Sequence, residues 1–183
     1  MSAQRFVPVT LLLDGYAQAV RRFEQEVKGR DARAFLPLFE ALNWAVAVDE
    51  RIAEHWAPEG KDKQPGWAWR TRVEGADVMA GVRFARNRVH HQWSDALRLD
   101  DSGFTSPLTS PLVSFEWRWR NLADLPPGNR RDPDGESAYR DRLAGAPARL
   151  TLARLRDAFA WVGSLLAPHT LREPVEHGED SAG

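Results

Sequence analysis

Apolar residues recur every three to four positions along four long segments, and this spacing constrains the fold more than any other feature. At about 100° per residue, such spacing places the apolar side chains on one face of an α-helix. The pattern predicts four long helices and one shorter one, over about 10–28, 31–56, 75–98, 136–144 and 148–167. We therefore expect a mainly α protein, an antiparallel bundle of four to five helices.

The ends of the first two helices carry residues with known positional preferences. Thr10 is a suitable N-cap for the first helix, and Gly29 is a suitable stop after it. Asp31 can cap the second segment. Because proline disrupts a helix interior, Pro37 implies that this helix begins near Leu36 or kinks there. The short connection between the first and second helices predicts that they form an antiparallel helical hairpin.

A small β-ribbon is predicted by two segments in which apolar and polar residues alternate. They are residues 67–73 and residues 113–120, and the second pattern is the stronger. We expect the two segments to pair as a ribbon inserted in the bundle. Their aromatic side chains would face the core, while Arg118 and Arg120 on the opposite face could contact phosphate groups.

The composition excludes several classes of protein. The 183-residue chain contains no cysteine, so it has no disulfide framework, thiolate zinc site or cysteine nucleophile. It has neither a signal-peptide core nor an apolar run of the roughly 18–20 residues that a transmembrane helix needs. We expect a soluble cytoplasmic protein without membrane association, with one helical domain over 1–171 and a disordered tail over 172–183.

Most of the plausible chemistry lies in one stretch of the predicted third helix, residues 83–93. The formal net charge is only −1, so nucleic-acid binding would depend on a local basic patch such as this one. No phosphate-binding glycine loop, dinucleotide fingerprint, zinc helix or serine-nucleophile turn is present. Adjacent His90 and His91 point about 100° apart and cannot easily share a metal. We expect no metal and no cofactor.

Within this stretch, Arg86-Asn87-Arg88-Val89-His90-His91 resembles the motif of the HEPN superfamily of small helical proteins. In that family an Arg, commonly followed by a polar residue, precedes a His by four to six intervening residues. Arg83 and His90, with six between them, fit a second register. The resemblance covers the hexapeptide and the helical order around it. It implies a homodimer with the motif at the interface and metal-independent cleavage of RNA.

The residue types suit that chemistry, in which the ribose 2′-hydroxyl attacks the neighbouring phosphorus. Histidine can exchange a proton near neutral pH, and arginine supplies fixed positive charge and forked donors that match phosphate oxygens. The resemblance implies catalytic roles for Arg86, Asn87 and His91. Five residues along a helix are about 140° of rotation, so Arg86 and His91 need a broken helix or a second protomer. His90 is the better partner of Arg86 on an unbroken helix.

Two functions remain open. The first is a bacterial HEPN-like endoribonuclease, a toxin or phage-defence component with RNA as substrate and an antitoxin or other protein as partner. Arg83, Arg88, Arg118 and Arg120 would then bind substrate. The second is a non-catalytic helical interaction domain of phage or mobile-element type. There the stretch is a packing helix, with Arg86 paired to Asp49 or Glu50 and His90 bonded to a neighbouring carboxylate.

Overall fold

Helices dominate the computed structural model, which describes residues 8–28, 32–56, 68–92, 96–100, 116–128 and 131–166. The α-helices in these ranges are α1 (Val9–Glu26), α2 (Phe35–Trp56), α3 (Trp69–Arg72), α4 (Met79–Gln92), α5 (Pro133–Arg142) and α6 (Ala148–Leu166). Two strands, β1 (Leu97–Asp100) and β2 (Glu116–Trp119), pair in an antiparallel ribbon. The predicted mainly α fold with a small β-ribbon is confirmed.

Helices α1 and α2 form the predicted antiparallel hairpin. Arg22, near the end of α1, forms an ion pair with Glu40, near the start of α2. Earlier in α1, Gly15 lies directly against the indole of Trp44, later in α2. The later residue of α1 contacts the earlier residue of α2, and the earlier residue of α1 contacts the later one. The two helices therefore run in opposite directions.

The predicted helix ends are confirmed in one case and wrong in another. Helix α2 begins at Phe35, so Pro37 lies in its first turn, where a missing backbone N–H breaks no helical hydrogen bond. Thr10 is not the N-cap of α1, because that helix begins at Val9 after Pro8 and no side chain caps it. Gly29 and Asp31 lie outside the described residues.

The strand predicted at 67–73 is wrong in its described part. From Ala68 the chain is helical, and α3 occupies Trp69–Arg72. The side chains of Trp69 and Arg70 both bond the carboxylate of Asp49. Successive side chains of a strand point to opposite faces, so a strand could not bring both to one acceptor. Tertiary bonding to Asp49 therefore favours a helical turn here.

The ribbon partner of β2 is instead the segment predicted to end the third helix. Helix α4 ends at Gln92, and the backbone is extended over Leu97–Asp100, with Leu97 opposite Trp119. Both of these residues are fully buried, and the Trp119 Nε1 donates to Thr151 Oγ1 at 3.0 Å. The predicted helix over 75–98 was therefore too long, because a buried cross-strand pair outweighs the helical spacing there.

Helices α5 and α6 complete the described chain. Helix α5 begins three residues before the predicted position 136, because the Asp132 carboxylate caps it by accepting from the Gly135 N–H at 3.0 Å. Helix α6 agrees with the predicted 148–167, and Leu150 in its first turn is 51% exposed. The predicted tail over 172–183 lies outside the described residues. Within those residues, no helix combines the length and apolar character needed to cross a membrane.

Helix α4 packs very closely against α5 at Gly81. A Cβ atom at this position would lie 2.8 Å from Leu143 Cδ1 and 3.2 Å from both the Ala138 carbonyl oxygen and Tyr139 Cα. Two of these three neighbours are backbone atoms that cannot rotate away. The close approach fixes the position of α4 relative to α5.

Gly81→Ala is therefore expected to destabilise the protein, although alanine normally favours a helix. Overpacking against backbone should exceed the gain in helix propensity and lower the free energy of unfolding by about 1–2 kcal/mol. Gly163→Ala in α6 is the matched control, because its new Cβ would meet only the flexible end of Leu13. Urea denaturation measures both. Equal stabilisation by the two substitutions would contradict the packing argument.

Candidate functional site

Helix α4, which carries the motif, lies antiparallel to α2 and contacts it at three successive levels. Arg83 reaches Asp49 and Glu50, Arg86 reaches Asn43, and His90 reaches Phe39. The three contacts are separated by three and four residues along α4 and by six and four residues along α2, in opposite chain directions. The structure thus brings Arg83, Arg86, Asn87 and His90 to one surface next to α2.

The first level is built around the fully buried carboxylate of Asp49. Its Oδ1 accepts from Trp69 Nε1 at 3.1 Å and from Arg70 Nε at 2.8 Å. Its Oδ2 accepts from Arg70 Nη2 and from Arg83 Nη1 at 3.0 Å. Arg83 also donates from Nη2 to Glu50 Oε1 at 3.1 Å. The charge of Arg83 is therefore compensated by two carboxylates.

The second level differs because Arg86 is held by neutral groups. Its Nε donates to Asn43 Oδ1 at 3.1 Å, and its Nη1 donates to the exposed Asn87 Oδ1 at 3.3 Å. Asn43 is itself oriented, since its Nδ2 donates to the Phe39 carbonyl at 2.8 Å. In the described part of the chain, the half-buried guanidinium of Arg86 is thus fixed by amide oxygens and not by a carboxylate.

The third level is a stack of rings. The exposed imidazole of His90 lies nearly parallel to the Phe39 ring, with centroids 5.6 Å apart and planes at 10°. Phe39 in turn stacks on Phe35 at 6.2 Å. This stacking defines the plane of the His90 ring and leaves it at the surface, one helical turn from Arg86.

Helix α4 is unbroken through the motif, because it runs continuously to Gln92. Of the two arrangements that could bring Arg86 and His91 together, a broken helix is thereby excluded. His91 lies in the last turn of α4, and its side chain is outside the described part of the structure.

Arg88 has a different environment from its neighbours in the motif. It is buried, with Nη1 donating to the Pro126 carbonyl at 3.0 Å and Nη2 lying 3.5 Å from Glu136 Oε1. Its guanidinium also lies over the Phe84 ring, 4.7 Å from the centroid. These contacts tie α4 to the segment that leads into α5 and hold the Arg88 guanidinium inside the fold.

The two ribbon arginines make contacts away from α2. Arg118 donates from Nη1 to the Gly145 carbonyl at 2.9 Å and from Nη2 to Glu116 Oε2 at 2.8 Å, and its Nε lies 2.9 Å from Asp100 Oδ2. Arg120 accepts a hydrogen bond from the Tyr139 hydroxyl at its carbonyl, and its buried Nε has no acceptor among the described residues. None of these contacts involves Asn43, the α2 residue that holds Arg86.

Sequence reasoning missed the two α2 residues that position the motif, Phe39 and Asn43. Asn43 offered a signal, because it is an amide immediately after the buried stripe residues Ala41 and Leu42. No feature of the sequence indicates that Phe39 stacks on His90, because this contact depends on the register between two helices that are distant in sequence.

The chain matches no protein-family model, no curated protein and no solved structure. Across the described residues, no group of three or more His, Asp or Glu side chains is arranged to hold a metal ion. The residues that α2 and α4 bring together are therefore the basis for assigning a function.

Proposed function

We propose that this protein is a HEPN-like, metal-independent endoribonuclease that acts as a homodimer. The observation that carries the proposal is the guanidinium of Arg86, which among the described residues is held by the uncharged side chains of Asn43 and Asn87, with the exposed His90 one turn away. Such a pair combines a fixed cation for a phosphate with a group that can transfer a proton. The compensated charge of Arg83 and the burial of Arg88 make these two arginines weaker candidates.

The reaction would use the RNA itself as nucleophile. The ribose 2′-oxygen attacks the adjacent phosphorus, the bond from phosphorus to the 5′-oxygen breaks, and the products are a 2′,3′-cyclic phosphate and a 5′-hydroxyl. Arg86 would hold a non-bridging phosphate oxygen as negative charge develops. A histidine would accept the 2′-hydroxyl proton, and a second histidine would protonate the leaving oxygen.

His90 and His91 divide these two roles across the dimer in this proposal. On the unbroken α4, position 91 follows position 86 by about 140° of rotation about the helix axis. His90 of one protomer would therefore act beside its own Arg86, and His91 would act in the site of the second protomer. A toxin or phage-defence role, with an antitoxin as partner, is consistent with such an activity.

Single substitutions test the assignment. Arg86→Ala, His90→Ala and His91→Ala are each expected to reduce RNA cleavage on the order of 100-fold or more, whereas EDTA should have no effect. Arg21→Ala, at an exposed position of α1, is the control and should keep full activity. Cleavage is followed on labelled RNA over a range of pH, and product ends are checked for the cyclic phosphate.

The same experiment separates the two functions. A purified protein that leaves RNA intact at every pH tried would overturn the ribonuclease proposal. The alternative, a non-catalytic interaction domain, predicts that Arg86→Ala changes stability or partner binding and has no nuclease phenotype. Far-UV circular dichroism of each variant distinguishes loss of folding from loss of chemistry.

A further inference from the structure

A groove lies between α6 and the turn that follows α3, on residues that the proposed ribonuclease site does not use. Its cavity of about 510 Å³ is bounded on one side by Gly75 and its neighbours and on the other by Arg154, Ala158 and Trp161 of α6. A second cavity of about 790 Å³ shares the turn and Arg154 and continues to Arg142. Volumes of this size are typical of small-molecule sites.

One end of the groove is positively charged. Arg142 and Arg154 both form ion pairs with Asp77, at 3.2 and 3.0 Å, so two cations share one carboxylate. Both arginine side chains are about half exposed, at 53% and 51%. The opposite wall carries both Arg72 and Glu74, so the positive charge of this end comes from Arg142 and Arg154. This end of the groove is suited to an anion.

The other end carries an exposed aromatic ring. Trp161 is 51% exposed, which is unusual for so large an apolar side chain. It follows Arg154 by seven residues, which places both on the same face of α6, about 10.5 Å apart along the axis. Ala158 lies between them, and its small side chain leaves the space open.

The wall opposite α6 is held in place by Gly75. Its φ of 83° is in the left-handed region that favours glycine, and a Cβ here would lie 2.9 Å from the Arg154 carbonyl oxygen. The turn therefore passes directly over Arg154 and has no room for a side chain at position 75.

We propose that this groove binds a mononucleotide. The base would stack on Trp161, and the phosphate would contact Arg154 at the positively charged end of the groove. Glu74 and Asp157 also line the cavity, and their carboxylates can accept hydrogen bonds from ribose hydroxyls. The proposal is independent of RNA cleavage, because it uses no residue of the Arg86 site.

Isothermal titration of the full-length protein tests the proposal with AMP, GMP, CMP and UMP, each compared with its nucleoside and with inorganic phosphate. At least one mononucleotide should bind more tightly than both. Trp161→Ala should weaken that mononucleotide about tenfold, since base stacking supplies much of the affinity. Arg154→Gln should weaken the mononucleotide but not the nucleoside.

Leu165→Ala serves as the matched control, because Leu165 is also exposed on α6 but does not line the groove. It should leave binding unchanged, and circular dichroism should show that all three variants are folded. The proposal is overturned if no mononucleotide binds more tightly than phosphate, or if Trp161→Ala leaves the affinity unchanged.

Discussion

Replacing Asp49 with alanine is expected to lower the free energy of unfolding by about 3–5 kcal/mol, because it breaks a buried ion-pair network from its centre. The carboxylate accepts hydrogen bonds from Trp69, Arg70 and Arg83, which belong to two other helices. Without it, a buried indole N–H and two largely buried guanidinium groups lose their shared acceptor. Loss of a buried acceptor that three donors share is far more unfavourable than the loss of an exposed ion pair.

The adjacent Glu50 provides the control for this substitution. It also accepts a hydrogen bond from Arg83, but its side chain is 54% exposed, so Glu50→Ala should change the free energy of unfolding by less than about 1 kcal/mol. Asp49→Asn keeps one carbonyl oxygen and should be intermediate. Urea denaturation at neutral pH compares the three variants. An Asp49→Ala protein as stable as Glu50→Ala would show that the network is not a stabilising centre.

Alkaline pH is expected to unfold the protein through its two tyrosines. Tyr16 and Tyr139 are fully buried, and their hydroxyls donate to the carbonyls of Leu152 and Arg120, each at 2.8 Å. Burial raises the pKa of both phenols well above the ordinary value near 10, because the ionised form is poorly solvated. Nearby Arg156 and Arg120 oppose this rise only in part.

The sign of the effect follows from linkage. A phenol whose pKa is raised in the folded state contributes its full stabilisation below pH 10 and loses it as the pH rises further, since the unfolded chain releases the proton first. Each pH unit above 10 should remove about 1.4 kcal/mol per tyrosine. The two buried phenols together thus impose a steep loss of stability in this range.

Tyrosinate absorbance and far-UV circular dichroism, recorded together during an alkaline titration, check this expectation. Both tyrosines should ionise in one step that coincides with loss of helical signal. Tyr16→Phe should reduce the pH dependence by about half, while lowering stability at neutral pH by about 0.5–1.5 kcal/mol through the lost hydrogen bond. Ionisation near pH 10 with the helices intact would contradict it.

The helices were predictable because their apolar spacing repeats over many residues. Tyr16, Val20 and Phe23 share one buried face of α1, as the period requires. The ribbon was only half predictable. Trp117 and Trp119 mark β2 by alternation, but its partner β1 is short and follows directly from a helical pattern, so local periodicity could not identify it.

The candidate site was likewise predictable only in part. The hexapeptide from Arg86 to His91 is visible in the sequence, but its environment depends on the register between α2 and α4. That register places Arg83 against Asp49 and Glu50, where the packing-helix interpretation had expected Arg86. A shift of one helical turn decides which arginine is neutralised, and no local pattern encodes it.

The close contact at Gly81 and the exposure of Asn87 give α4 two very different kinds of position. At Gly81 any side chain meets the backbone of α5, so variation there is restricted by the fold whatever the protein does. Asn87 is exposed, so packing places little restriction on it. Among related sequences, an unvarying Asn at position 87 would therefore indicate that its contact with Arg86 is required, whereas an unvarying Gly at position 81 would indicate a requirement of helix packing.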